Sequence, residues 1–249
     1  MSPTQEVHET TDRPLRRKIG LLDQVEYRLA ETKAEKEAIY ALRYRAYLHE
    51  GAIEPRADQQ LTDRFDDLPN SWLFGIHLDG ELTSSIRISV ATPDNEQTPA
   101  VDAFRDLLAP ELARGKTIVD PNRFVADPSS RNKYPELPYL TVRLGYVACA
   151  YFNADIGTAT VRAEHRAFYR RLFLQKSLCE PRPYPTLTKP LCLMAADYLS
   201  IRDQVFERFP MMRSSAAERR MLFERSSERA SVIDLPEFPF GRATIAPHS

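Results

Sequence analysis

The sequence predicts a mixed α/β domain built on a single sheet, and three observations lead there. WLFGIHL and LTSSIRISV read as two strands joined at Asp79-Gly80, a dipeptide whose preference for positive φ suits a type I′ hairpin. Around this hairpin, segments of strand and helix periodicity follow one another from Gln24 to Leu199. Their order does not alternate strictly enough for a barrel or a dinucleotide-binding fold, which leaves one mixed sheet with helices packed on it.

Each element has its own local reason. Residues Met1 to Asp23 are polar, charged and aperiodic, and read as a flexible arm ahead of a domain spanning Gln24 to Pro210. Val25, Tyr27 and Leu29 alternate as a half-buried strand. Thr32 and Glu35 offer a capping box for a helix with Ile39, Leu42 and Ala46 on one face and Gly51 at its C-terminal cap. After the hairpin, VDAFRDLLA forms a short helix closed by Pro110, and KTIVDPNRFVA an irregular strand around Pro121. In YLTVRLGYVACAYFNAD, Leu140, Leu144, Val147 and Tyr151 keep the helical period behind Pro138. GTATVRA is a strand, EHRAFYRRLFLQK a basic amphipathic helix carrying Phe168, Leu172 and Phe173, and PLCLMAADYL a buried strand. Beyond Met211, a helix around Ala216 to Phe223 precedes a Pro-bearing tail expected to be loosely packed.

Composition narrows the function classes. With 34 basic against 35 acidic residues, the net charge of −1 gives no sign of a nucleic-acid coat protein. The 3 cysteines, Cys149, Cys179 and Cys192, lack a C-x-x-C pair, which argues against a disulfide framework or structural zinc and for a reducing, cytoplasmic setting. Charges interrupt the N-terminus too often for a signal-peptide core, and no run approaches the ~20 apolar residues of a membrane span. No P-loop or G-x-G-x-x-G pattern supports nucleotide binding.

Three groups of residues could carry chemistry. Asp120, Arg123 and Phe124 share the irregular strand, with Arg87 on the hairpin. An odd separation puts Asp120 and Arg123 on opposite faces unless a bulge at Pro121 re-aims one of them; an Asp–Arg structural ion pair is the alternative. Asp58, Asp63, Asp66 and Asp67 lack the regular spacing of a calcium loop, so they read as a solvated connection or, beside Arg43 and Arg45, as a grip for a substrate ammonium. From Gly157 to Lys189 there are seven basic residues (Arg162, Arg166, Arg170, Arg171, Lys176, Arg182 and Lys189) against Glu164 and Glu180, which suits either a solvated helix face or the docking of an acidic partner. His49, His77 and His165 are isolated in sequence, and no metal site is expected.

Together these pieces resemble the N-acyl amino acid synthases and the related acyl-homoserine-lactone synthases of the GNAT acyltransferase superfamily. The resemblance rests on Arg43 and Tyr47 in LRYRAYLHEG, Asp63 and Asp66 in TDRFDD, the hairpin ending in Arg87, Phe104 on the following helix, and Asp120-Pro-Asn-Arg123-Phe124 in place of Glu-x-x-Arg-Phe. It implies a GNAT-like fold with a mostly antiparallel central sheet. Ile53 and Val119 stand where lactone synthases usually carry tryptophans, which points away from an adenosylmethionine substrate, and RNKYPELPYLT lacks the glycines of the usual coenzyme-A loop.

The implied activity is transfer of a long-chain acyl group from an acyl carrier protein or coenzyme A thioester to the α-amine of an amino acid, without a metal or redox cofactor. In that reading Asp120 and Arg123 are catalytic, and Arg43, Tyr47, Asp63, Asp66, Arg87, Phe104 and Phe124 line the substrates. Arg87 and Arg123 would orient Asp120 and hold the acceptor carboxylate, the apolar residues of the Leu140–Tyr151 helix would flank the acyl chain or else pack in the core, and Arg162, Arg166, Arg170 and Arg171 would dock the carrier protein. A lactone synthase using adenosylmethionine and a non-catalytic module that binds carrier protein or lipid are the alternatives.

Overall fold

The computed structural model describes residues 20 to 225 except 21, 185 and 186. The arm expected before Asp23 and the tail after residue 225 therefore fall largely outside the described residues. Among the described residues seven strands form one sheet: β1 (Val25–Leu29), β2 (Ser71–Leu78), β3 (Glu81–Ala91), β4 (Ile118–Ala126), β5 (Ile156–Val161), β6 (Lys176–Ser177) and β7 (Cys192–Asp197). Their order is β1-β2-β3-β4-β5-β7-β6. Every pairing is antiparallel except β4 with β5, which is parallel. The helices are α1 (Lys33–His49), α2 (Pro99–Ala103), α3 (Arg105–Leu112), α4 (Ser130–Lys133), α5 (Leu137–Tyr151), α6 (Arg166–Phe173), α7 (Tyr198–Arg208) and α8 (Ala216–Phe223).

The local signals act where they were read. Thr32 and Glu35 close a reciprocal capping box on α1, Gly51 follows it at φ 60°, and Asp79 and Gly80 take φ 52° and 78° in the hairpin turn. Pro110 behaves differently from expectation. The chain breaks at Phe104 and restarts, so Pro110 lies inside α3, where it removes only one hydrogen bond. The strand read through PLCLMAADYL stops at Asp197, whose carboxylate accepts from Ser200 N–H and caps α7. That helix was missed.

Side-chain parity sorts the two faces of the sheet. Phe74, Ile76, Ile86, Ile88, Val90 and Val119 point toward α5 and its neighbours in the main core. Leu73 packs with Ile39 of α1, Val125 with Leu42 and Ala46, and Ile118 with Val101 and Phe104, on the opposite face. The segment after Met211 is tied down as far as it is described. Buried Arg143 of α5 donates to Met211 O (2.6 Å), Arg213 O (2.7 Å) and the Glu218 carboxylate (2.6 Å). Trp72 Nε1 donates to Phe223 O (2.9 Å).

Candidate active site

The site grows from one irregularity in β4. Opposite β3 the register jumps from Ser85↔Val125 to Arg87↔Asn122, so two residues of β4 face one of β3. The bulged residue is Arg123, with φ 52°, a strained value for a non-glycine residue. Pro121 stays in register opposite Ile88, so the bulge sits two residues beyond the position expected. Its effect is the one foreseen. Asp120 and Asn122 already share the α1 face, and the bulge turns Arg123 onto it as well.

Arg123 does not pair with Asp120. Its Nε donates to Asp63 Oδ2 at 2.9 Å. Arg87, wholly buried, donates to Asp63 Oδ1 (2.6 Å), Asp66 Oδ1 (2.7 Å) and, through Nε, Asn122 Oδ1 (2.7 Å). Arg43, also wholly buried, reaches Asp66 Oδ1 at 2.7 Å. Arg43, Asp66, Arg87, Asp63 and Arg123 thus form one buried network with one excess positive charge. Neither Arg87 nor Arg123 hydrogen-bonds Asp120, contrary to the expectation that they orient it, because Asp63 occupies both guanidiniums.

Two carboxylates on this face are pushed in opposite directions. Burial acts against the charge of Asp63, but Arg87 and Arg123 outweigh it and hold its pKa well below the usual carboxylate range. Asp120 is wholly buried, and this desolvation raises its pKa to about 6 despite the Ala100 N–H bonded to Oδ2 (2.9 Å) and the charge of Arg87. A carboxylate near 6 can take and release a proton at neutral pH, whereas Asp63 is a fixed anion.

A cavity of about 610 Å³ adjoins this centre. Strands β4 and β5 pair only at Ile118↔Ile156 and Val119↔Gly157 and then part, leaving a wedge that runs through the sheet. Ala46, Tyr47 and Glu50 line it on the α1 side, Pro138 and Tyr139 on the α5 side, with Asn122, Arg123 and Phe124 between. At its mouth Arg162 bonds Glu50 Oε2 (3.0 Å) and Lys189 Nζ donates to Glu50 O (3.1 Å).

The predicted residues divide accordingly. Tyr47, Arg123 and Phe124 line the cavity, and the Arg123 guanidinium lies 5.6 Å from the Tyr47 ring centre. Arg43, Asp63, Asp66 and Arg87 form the network behind it. Phe104, 1% exposed, packs in the core against Tyr184. Leu140, Leu144 and Val147 are wholly buried in the core and do not line the cavity. Arg162 belongs to the mouth, leaving Arg166, Arg170 and Arg171 on the face of α6. Among the described residues no group of three or more His, Cys, Asp or Glu could hold a metal ion.

Sequence reasoning missed Asn122. Its amide donates to Asp120 O (2.8 Å) and Ser89 Oγ (3.2 Å) while accepting from Arg87, joining the charge network to the bulge. It also missed Tyr169, which burial keeps protonated and which lines the cavity from α6. Gly145 was passed over too. A Cβ there would lie 2.5 Å from Pro121 Cγ, so only glycine lets α5 approach β4 beside Asp120.

A family model described as N-acyl amino acid synthase FeeM matches residues 38–197, more than half of the chain. The protein belongs to the FeeM family. It is therefore an N-acyltransferase, and the match covers α1 from Ala38 onward, the wedge and the bulge. The solved structure of FeeM, an N-acyl amino acid synthase from uncultured soil microbes, is similar with a TM-score of 0.59 at 17% identity, over 74% of this chain and 96% of that one. The coenzyme-A-dependent acyl-homoserine lactone synthase BjaI gives 0.55 at 14% identity, over 75% and 89%. MesI, another coenzyme-A-dependent lactone synthase, gives 0.51 at 14%, over 77% and 97%. At such identities the structural likeness establishes the fold alone, a single mixed sheet flanked by helices. No curated protein matches the chain. Among the described residues no helix is long and apolar enough to cross a membrane.

Proposed function

We propose that this FeeM-family protein transfers a long-chain fatty acyl group from a carrier-protein thioester to the α-amine of an amino acid in the cytoplasm, giving an N-acyl amino acid. The observation that carries this reading is the wedge between β4 and β5, which brings an apolar cavity against a bulged strand beside a carboxylate of raised pKa. The acyl thioester enters between the strands, and backbone N–H groups at the bulge stabilise its oxygen as it becomes an oxyanion. The acceptor amine must be neutral to attack. Asp120 lies outside the cavity lining, so it removes the ammonium proton through one bridging water.

The amine nitrogen bonds to the thioester carbon, the tetrahedral intermediate collapses, and the carbon–sulfur bond breaks to release thiolate. The thiolate takes the second proton that the bonded nitrogen sheds as it becomes an amide, and the proton held by Asp120 passes to solvent, so no cofactor is consumed. The charge network supports an acceptor bearing a carboxylate. Once Asp120 is protonated, three arginines face two aspartates, and a carboxylate beside Arg123 restores neutrality.

For the donor, α6 presents Arg166, Arg170 and Arg171, and none of the three is ion-paired to an acidic group among the described residues. Such a face complements an acidic carrier protein. The test is mass spectrometry of purified protein incubated with long-chain acyl carrier protein or acyl coenzyme A, an amino acid mixture and, separately, adenosylmethionine. An N-acyl amino acid that disappears with Asp120→Asn is expected. An acyl-homoserine lactone would assign the protein to the sister activity, and no product from any mixture would overturn the proposal.

A further inference from the structure

Two aromatic rings stand where the wedge adjoins a second, smaller void. Pro121, Phe124 and Tyr169 line both the 610 Å³ cavity and a second void of about 40 Å³ on the α5 face of the sheet. Ile86, Val142, Phe173 and Ile201 line that void, with Thr158 and Gln175 among its polar lining. Tyr169 is fixed by edge-on contact with Phe168, ring centres 5.2 Å apart, and by Phe173 at 6.4 Å. Phe124 leaves β4 immediately after the bulge and meets the same void from the strand side.

We propose that Phe124 and Tyr169 are the chain-length stop of the acyl-donor site, and that the void behind them is the space a longer chain would occupy if the stop were removed. The inference rests on reading the wedge as the donor site. An acyl chain entering from the mouth buries methylene groups until its end meets the two rings. Past them the remaining space accommodates only a few atoms. One buried acceptor there, Gln175 Oε1, has no hydrogen-bond partner among the described residues and further disfavours hydrocarbon behind the rings. The bulge that aims Arg123 at the charge network thus also sets Phe124 as the partition on the other face.

Binding of S-alkyl pantetheine thioethers of increasing chain length, measured by calorimetry, tests this without turnover. For the wild-type protein, affinity should rise with each methylene and then level off. In Phe124→Ala, and to a smaller degree in Phe124→Leu, the plateau should move to longer chains, gaining up to about four-fold per additional buried methylene. Adding Val142→Phe to Phe124→Ala, which fills the void from α5, should return the plateau to the wild-type position. An unchanged plateau in a folded Phe124 variant, no plateau in the wild type, or failure of Val142→Phe to reverse the shift would overturn the proposal. If instead these ligands bind with the expected plateau but no N-acyl amino acid forms, the proposed reaction fails while the length stop stands.

Discussion

The arginines of this protein occupy two contrasting regions. Arg43 and Arg87 are wholly buried between α1 and β4, bonded to Asp63 and Asp66. Arg170 and Arg171 stand exposed on α6 with no acidic partner among the described residues. A buried guanidinium without its carboxylate is several kcal/mol out of balance, whereas an exposed one costs almost nothing unpaired. The first region is therefore bound to its geometry and can fix the bulge beside Asp120. The second is free to meet another molecule.

The contrast breaks most visibly at Arg87. Arg87→Met breaks the bonds to Asp63, Asp66 and Asn122 and leaves Asp66 to Arg43 and Asp63 to Arg123 alone in a buried site, so urea unfolding should show a loss of about 3–5 kcal/mol. A loss under ~1 kcal/mol would mean the network is not what holds this face together.

Asp120→Asn should separate stability from activity. Turnover is expected to fall by about 10²–10⁴, and wild-type turnover should rise with pH through about 6 as Asp120 ionises. For stability the sign is reversed. The native state holds this proton more tightly than the unfolded chain, so wild-type stability should decline between about pH 4 and 6 as pH rises. The Asn variant should lack that decline and be more stable at pH 7 by up to about 3 kcal/mol. Parallel stability profiles for the two proteins would contradict the raised pKa.

Arg123→Lys keeps the charge near Asp63 but loses the fork. A roughly ten-fold fall in kcat/KM with little change in the unfolding midpoint is expected, and near-normal turnover would remove Arg123 from the reaction. The smallest effect lies on α6. Reversing Arg166, Arg170 and Arg171 to Glu should change stability by less than about 0.5 kcal/mol. It should raise KM for carrier-protein donors in a salt-dependent way and leave coenzyme A donors unaffected. An unaltered KM would return this face to the status of a solvated helix.

How far the sequence speaks depends on the range of the interaction. Asp79-Gly80, the Thr32–Glu35 box and the apolar faces of α1 and α5 were legible because their partners lie within a few residues. The Asp197 cap of α7 was equally local, but the apolar run of PLCLMAADYL masked it. The choice of partner for Arg123 was not legible. Asp120 is three residues away and Asp63 sixty, yet the bulge turns the guanidinium toward the distant one, and nothing in Asp-Pro-Asn-Arg-Phe marks Arg123 rather than Pro121 as its centre.

A single mixed sheet, its hairpin, most of its helices and most of the acids and arginines at the site could be read along the chain, since periodicity and turn chemistry are local. Which carboxylate is held ionised, which is raised toward neutrality and where β4 and β5 part follow from packing. Those outcomes depend on desolvation and on contacts between strands far apart in the chain, and neither exists before the sheet assembles.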